Sequence, residues 1–368
     1  MKSLKRRDLL RVVALWSAGS LIAACSPYWK RMQWSFRPTA EAKDVPPSPV
    51  PTIEQVVPAE PTVAAQDAVV DPSEIPDVTP IADAGAARAQ DAPSSSAPSE
   101  AAHLAVAHGA SAEQLTQRAI AALGGIERFV KNGHDVIIKP NICNANHGPE
   151  YASTTNPEVV ATLVRMCLGA GAKRVRVMDS PFSGSPEAAY ARSGIEAAVK
   201  AAGGEMEIMA AMRYAKTPIP GGQDLKEWPF YQPILEADVV INVPIAKHHY
   251  LSTLTLGGKN MMGTIQERGG MHPNIGQRVA EITSVVRPEL TVMDATRILM
   301  ANGPTGGNLN DVKQMNTVIA SHDVVAADAY VTRYFDKTPA DVPYIRASAE
   351  MGLGTMDLDG IKIAEFDV

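Results

Sequence analysis

Residues 103–368 are predicted to form an α/β fold, a Rossmann-like parallel or mixed sheet with helices on both faces. Short Val- and Ile-rich runs, continuous rather than alternating with polar residues, mark strands buried on both sides. Between them lie stretches with apolar residues at helical spacing, opened by capping residues such as Ser111 and Asn156. Strand and helix take turns along the chain, the order that a parallel sheet with crossover helices requires.

Leu104 to Ala107 reads as the first strand. Ser111 caps a helix from Ala112 to about Lys131, with Leu115, Ala119, Ala122, Leu123, Ile126 and Val130 on one face. Asp135 to Lys139 is a buried strand by its Val-Ile-Ile run. Asn156-Pro157-Glu158 then supplies a cap, a first-turn proline and a first-turn acid. Val159, Val160, Leu163, Val164 and Cys167 form the stripe of that helix, which Gly169 and Gly171 end. Arg174 to Met178 is a strand, Pro186 to Ala202 a helix and Glu207 to Met209 a strand. Val239 to Val243, Leu290 to Met293 and Thr317 to Ala320 are further strands, with helices near 275–286, 323–334 and 341–351.

The N-terminal hundred residues have a different character. Residues 1–25 hold a basic head, the apolar stretch Val12 to Ala24, and Cys25. These are the parts of a secretory signal, and the stretch is shorter than the roughly 20 apolar residues of a membrane-spanning helix. Arg6-Arg7-Asp8-Leu9-Leu10-Arg11 resembles the twin-arginine export signal, and Leu21-Ile22-Ala23-Ala24-Cys25 resembles a bacterial lipobox. The resemblance implies passage through the twin-arginine export machinery, acylation of Cys25 and a lipid-anchored place on the periplasmic face of the cell envelope. Ser26 after the cysteine favours the outer membrane in a Gram-negative cell.

Residues 26–102 are predicted to be a disordered tether. Positions 38–100 hold twelve of the chain's 28 prolines and no aromatic residue, too little to pack a core. About 75 residues of such chain reach on the order of 50 Å. Eleven acidic residues against Lys43 and Arg88 in 40–100 give this spacer more negative charge than the net −6 of the whole chain. The α/β part is therefore near neutral, which gives no electrostatic case for nucleic acid.

In open α/β sheets, ligands bind beyond the carboxyl ends of the strands. The residues leaving strands here are Lys139-Pro140-Asn141, Asp179-Ser180-Pro181, Pro244 through His249, Asp294-Ala295 and Ser321-His322-Asp323. The densest chemistry follows: Lys247-His248-His249, then Gly257-Gly258-Lys259-Asn260, then Arg268-Gly269-Gly270-Met271-His272. Glycines let backbone approach a ligand, Lys and Arg bind carboxylate or phosphate, and His moves protons or binds metal. The glycine spacing fits neither a P-loop nor a dinucleotide fingerprint. A solvated basic loop with glycine turns is the plain alternative.

With these residues in view, the chain resembles the bacterial and archaeal domain-of-unknown-function family numbered 362. The match runs in order over about residues 103–365. It begins with Val136-Ile137-Ile138-Lys139-Pro140-Asn141, Thr154-Thr155-Asn156-Pro157, Gly169-Ala170-Gly171-Ala172, Asp179-Ser180-Pro181 and Ser193-Gly194. It continues through Ala237-Asp238, Ile241-Asn242-Val243-Pro244, Lys247 with His249, Thr255 with Lys259-Asn260 and Gly263, and His272. Asp294-Ala295, Gly303-Pro304 with Gly306, and Ser321 with Asp323 and Asp328 complete it. Some relatives carry ferredoxin-type cysteine runs; with no Cys-x-x-Cys here, an iron–sulfur cluster is not expected. Gly257-Gly258-Lys259 and His272 also resemble, more loosely, the nickel-dependent lactate racemases, which place a cofactor-bearing lysine after Gly-Gly and a metal-binding histidine downstream.

The expected catalytic group is thus Lys247, His249, Lys259 and His272, with Lys139, Asn141, Asp179, Asn260, Arg268 and Asp294 as ligand-binding residues. An enzyme acting on an anionic carboxylate or phosphate compound is the first expectation, and the histidines admit a divalent metal or a nucleotide-like metallocofactor. A non-catalytic binding lipoprotein and a structural envelope protein are the alternatives. Cys143 stays outside the catalytic set, because nothing near it in sequence activates a thiolate. Whether Cys143 and Cys167 form a disulfide is left open. Limited proteolysis of the full chain should leave a resistant fragment beginning near Ala101; a fragment that keeps residues 40–100 would show that the spacer packs on the domain.

Overall fold

The computed structural model describes residues 101–368. Arg6, Arg7, Cys25 and nearly all of the spacer lie outside the described residues. The elements run in the order β1 (Leu104–His108), α1 (Ala112–Ala122), β2 (Asp135–Pro140), α2 (Pro157–Gly169), β3 (Arg174–Val177), α3 (Pro186–Arg192), α4 (Ile195–Ala201) and β4 (Glu205–Met206). Then come β5 (Tyr214–Pro218), β6 (Glu227–Tyr231), α5 (Gln232–Glu236), β7 (Val239–Val243), β8 (Ile245–His249), β9 (Thr253–Thr255) and α6 (Gly257–Asn260). The last are α7 (Ile275–Val286), β10 (Leu290–Leu299), β11 (Val312–Ser321), α8 (Val324–Val331), α9 (Pro343–Glu350) and β12 (Ile363–Asp367).

The main sheet has the order β12-β1-β11-β10-β7-β2-β3-β4. Strands β10, β7, β2, β3 and β4 are parallel, with β2 central between β7 and β3. Along this order β11 is the strand that runs against its neighbours, β1 and β10, so the sheet is mixed and mostly parallel. Strand β8 continues beside β10 and pairs antiparallel with β9, while β5 and β6 form a separate hairpin.

Alternate strand residues feed two cores, as the pleat requires. Val136, Ile138, Val239, Ile241, Val292, Val318 and Ala320 pack with Leu115, Ile120, Val160, Leu163 and Val199 from α1, α2 and α4. Ile137, Val240, Met293 and Ile319 point the other way, toward Val279, Ile282, Val325, Tyr344 and Ile345 from α7, α8 and α9. Helices therefore cover both faces, as the sequence predicts.

Several boundaries differ from expectation. The helix expected to reach Lys131 stops at Ala122, where Gly124 and Gly125 take φ values of 98° and 84°, and only a 3₁₀ turn follows. The helix expected over 186–202 is two helices, broken at Ser193-Gly194. The strand expected at 207–209 lies at Glu205–Met206, the two residues that pair with Arg176 and Val177 of β3. β10 and β11 are each ten residues, since they pair with one another past the body of the sheet. Lys247 and His249, expected in the connection that leaves the strand at 239–243, sit on a strand of their own. Cys143 and Cys167 are both buried free thiols.

Candidate functional site

Strand β2 delivers Lys139 to the carboxyl edge of the sheet, where its side chain is fully buried. Its ammonium meets Asp179 Oδ1 at 2.7 Å, Asn260 Oδ1 at 2.8 Å and the Pro140 carbonyl at 2.9 Å. Three acceptors account for all three N–H bonds of an ammonium. Burial pulls the Lys139 pKa down and the Asp179 charge pulls it back. Asp179, just beyond β3, also accepts the Ile142 amide at 2.6 Å and the Ser180 amide at 2.8 Å. Gly263 lies against this pair: a Cβ there would collide with Asp179 Oδ1 and with Lys139 Nζ and Cε, so only glycine fits.

Asn260 and Asn141 extend the network. Asn260 Oδ1 also accepts from Asn141 Nδ2 at 3.0 Å, and Asn260 Nδ2 donates to Asn242 Oδ1 at 2.9 Å. Asn141 Oδ1 accepts from Lys247 Nζ at 2.9 Å. Lys247 then gives its remaining N–H bonds to the carbonyls of Ser153 at 2.7 Å and Pro304 at 3.0 Å. Thr154 and Thr155 hold the loop after β2, their hydroxyls accepting the amides of Cys143 and Asn141. Arg268 donates to the carbonyls of Ser180 at 2.9 Å and Pro181 at 2.9 Å.

Lys259 is the exception. It is 9% exposed, yet its ammonium has no hydrogen-bond or ion-pair partner among the described residues. Its backbone is seated by Asp328 of α8, whose carboxylate accepts the Gly257 amide at 2.6 Å and the Gly258 amide at 2.8 Å. A side chain on Gly257 would strike that carboxylate. Burial first, then the charges of Lys247 and Arg268, bring the Lys259 pKa down to about 7. Thr255 Oγ1 nearby is likewise buried without a partner.

His249 Nδ1 accepts the amides of Leu251 at 3.1 Å and Ser252 at 3.3 Å, so the imidazole proton sits on Nε2. Burial, with the charges of Lys259 and Lys247 next, lowers its pKa to about 3. His249 is therefore a neutral N–H donor near pH 7 rather than a proton acceptor, and its Nδ1 is not free for a metal. His272 stands exposed on the 3₁₀ segment Arg268–Asn274.

These side chains enclose one cavity of about 340 Å³. Of the ten residues expected from sequence, Lys139, Asn141, Asp179, Lys247, His249, Lys259, Asn260, Arg268 and His272 all line it. Asp294 does not. It is fully buried and accepts the Asn156 amide at 2.7 Å, the Thr296 amide at 2.9 Å and the Thr296 hydroxyl at 2.7 Å, which ties β10 to the start of α2. Burial raises its pKa, and those donors hold it down. Sequence reasoning left out Cys143, Thr255, Phe182 and Pro304, which also line the cavity. Cys143 Sγ donates to the same Pro304 carbonyl as Lys247, at 3.5 Å, a neighbour more than 150 residues away that no local pattern reveals. Among the described residues, no group of three or more His, Cys, Asp or Glu is placed to hold a metal ion.

The electrostatic balance is one-sided. Asp179 is the one carboxylate among the described lining residues, and Lys139 neutralises it. Lys247 spends its hydrogen bonds on neutral oxygens, Arg268 spends two of its five N–H donors in the same way, and Lys259 spends none. Three cationic groups thus face a small, partly closed space without a counter-charge.

The fold and site define an α/β protein with a cation-lined cavity at the carboxyl edge of a mostly parallel sheet. Residues 136–333 match the domain of unknown function DUF362, and the chain belongs to that family. It is 30% identical over 240 residues to a thylakoid-associated protein of Synechocystis sp., spanning 63% of this chain and 72% of the relative. Among solved structures it is similar to the lactate racemase apoprotein from Thermoanaerobacterium thermosaccharolyticum, with 10% identity and a TM-score of 0.41. That match covers 65% of this chain, which spans 58% of the racemase.

The network and the free lysine should respond oppositely to mutation. Asp179→Asn strands the buried Lys139 charge and should cost about 3–5 kcal/mol of stability, read as a lower denaturant midpoint. Gly263→Ala should destabilise in the same direction by displacing the pair. Lys259→Met removes a charge that nothing compensates and should leave stability equal or higher. An Asp179→Asn midpoint equal to the wild type would show that the pair contributes nothing.

Proposed function

We propose that this is an exported, lipid-anchored envelope protein whose cavity binds a small carboxylate or phosphate compound, with Lys259 as the proton-transfer group. The observation that carries the reading is Lys259, a residue 9% exposed among other cations, whose ammonium has no partner among the described residues. A buried cation without a partner is costly, and a bound anion would remove that cost. A pKa of about 7 also suits a group that gives and takes a proton near neutrality. His249 Nε2–H and Arg268 would orient the anion, and Lys247 would add charge from behind Asn141. The anchoring part rests on the Arg6-Arg7 and Ile22-Ala23-Ala24-Cys25 motifs, and a thylakoid-associated relative accords with a membrane setting.

Sulfate, whose charge is constant across neutral pH, is a suitable probe. Protonated Lys259 is the binding form, so sulfate affinity should fall as pH rises through about 7. Bound sulfate favours the charged amine and moves the midpoint of the fall upward. The limiting slope is about tenfold per pH unit, and it should vanish in Lys259→Met. Calorimetric titration from pH 6 to 9 measures it; wild-type affinity that is flat with pH would remove Lys259 from the site.

Chemistry is separated from binding by incubating a panel of small carboxylates with the protein in D₂O. Loss of a carbon-bound proton signal in wild type but not in Lys259→Met supports an enzyme, and binding without exchange supports a binding protein. For the anchor, Cys25→Ser should abolish palmitate labelling, and Arg6→Lys with Arg7→Lys should block export. Labelling that persists in Cys25→Ser would refute the lipid site.

A further inference from the structure

Seven large hydrophobic side chains are exposed among the described residues, and their placement is not scattered. Phe182 (67% exposed) follows β3, Ile208 and Met212 (91%) follow β4, Tyr250 (85%) and Leu251 follow β8, and Leu309 follows β10. Six of the seven thus stand in the connections leaving the carboxyl ends of strands, the edge that holds the cavity; the seventh is the C-terminal Val368. Single exposed apolar residues need no explanation, but a set gathered at one edge does.

One of these residues lines the cavity, and two follow a lining residue in the chain. Phe182 lines it, and Tyr250 and Leu251 come straight after His249, whose Nδ1 accepts the Leu251 amide. Met212 lies two residues before Tyr214, whose pKa is raised by burial first and then by the charge of Asp179. The cavity lining is mixed: beside the cations it includes Phe182, 67% exposed, and the edge of Met262. Cations and apolar side chains around one space, with apolar residues in the surrounding connections, are complementary to a molecule that carries both characters.

The geometry points to an amphiphile as the ligand: an anionic head group seated at Lys259 and Arg268, with an unbranched apolar chain running out over Met262 and Phe182 toward Tyr250 and Leu251. This rests on the anion-binding reading and names the ligand class for that site. A wholly polar ion would leave these apolar side chains without a contact to make. An apolar molecule without a charged head would bury three cations against hydrocarbon, at a cost no rim contact offsets.

The test is a series of n-alkyl phosphates from methyl to octyl, each below its micelle concentration. They are titrated into the full chain carrying Cys25→Ser, so that no acyl group of its own competes. Burying one CH₂ strengthens binding up to about fourfold, and an open rim gives about half that effect. Octyl phosphate, with its additional CH₂ groups each worth about twofold, should therefore bind on the order of a hundredfold more tightly than methyl phosphate. In the double variant Phe182→Ser, Tyr250→Ser that ratio should drop severalfold. Binding with no dependence on chain length would overturn the amphiphile and leave the anion site standing. A slope that the double variant leaves intact would overturn the assigned rim. If no member binds, inorganic phosphate and sulfate included, both inferences fall.

Discussion

The buried pair of Lys139 and Asp179 is the contact on which the site depends. It joins the ends of two central parallel strands, and each partner is saturated: the ammonium by three acceptors, the carboxylate by two backbone amides besides. A buried ion pair is worth little when its remaining valences are unmet, and much to the positions of its neighbours when they are met. Here the amides of Ile142 and Ser180 are held by the same carboxylate, so the loops after β2 and β3 are set relative to one another. Gly263 is forced by the lack of room over the pair, and the Asn260 side chain is oriented by it.

From that pair a chain of satisfied polar groups runs through Asn260 and Asn141 to Lys247 and ends on main-chain carbonyls. Its members are buried and committed, which makes them a frame rather than ligand contacts. Lys139 and Lys247 contribute charge to the cavity without free N–H bonds. The frame leaves unmet valences on the Lys259 ammonium, the remaining N–H groups of Arg268, the Thr255 hydroxyl and the neutral Nε2–H of His249. Preorganisation of this kind is effective where burial is deep, since the groups need not rearrange when a ligand arrives.

Burial first, and then the charges of the cations that share the space, lower the Lys259 pKa to about 7, with no partner to offset them. Asp328 places Lys259 there by capping Gly257 and Gly258 rather than by touching the ammonium. A carboxylate at hydrogen-bonding distance would have kept the lysine charged and inert. The tight Gly257 packing and the separate polar frame together leave one amine that titrates near neutrality.

Much of this was legible from sequence because it is local. Continuous apolar runs marked β2, β7 and the body of β10, and Asn156-Pro157-Glu158 marked α2, since burial and capping act over a few residues. The rule that ligands collect at strand ends, with the order of family motifs, selected nine residues that share the cavity. Tertiary structure alone decided the rest. Asp294 looks like a site residue by position, yet its carboxylate faces the amides of Asn156 and Thr296 because β10 bends there. Cys143 looks inert by its neighbours in sequence, yet it meets Lys247 at the Pro304 carbonyl. Sequence showed four cations but not which had partners, because a buried cation's partners are supplied by distant strands and loops brought together only when the sheet closes.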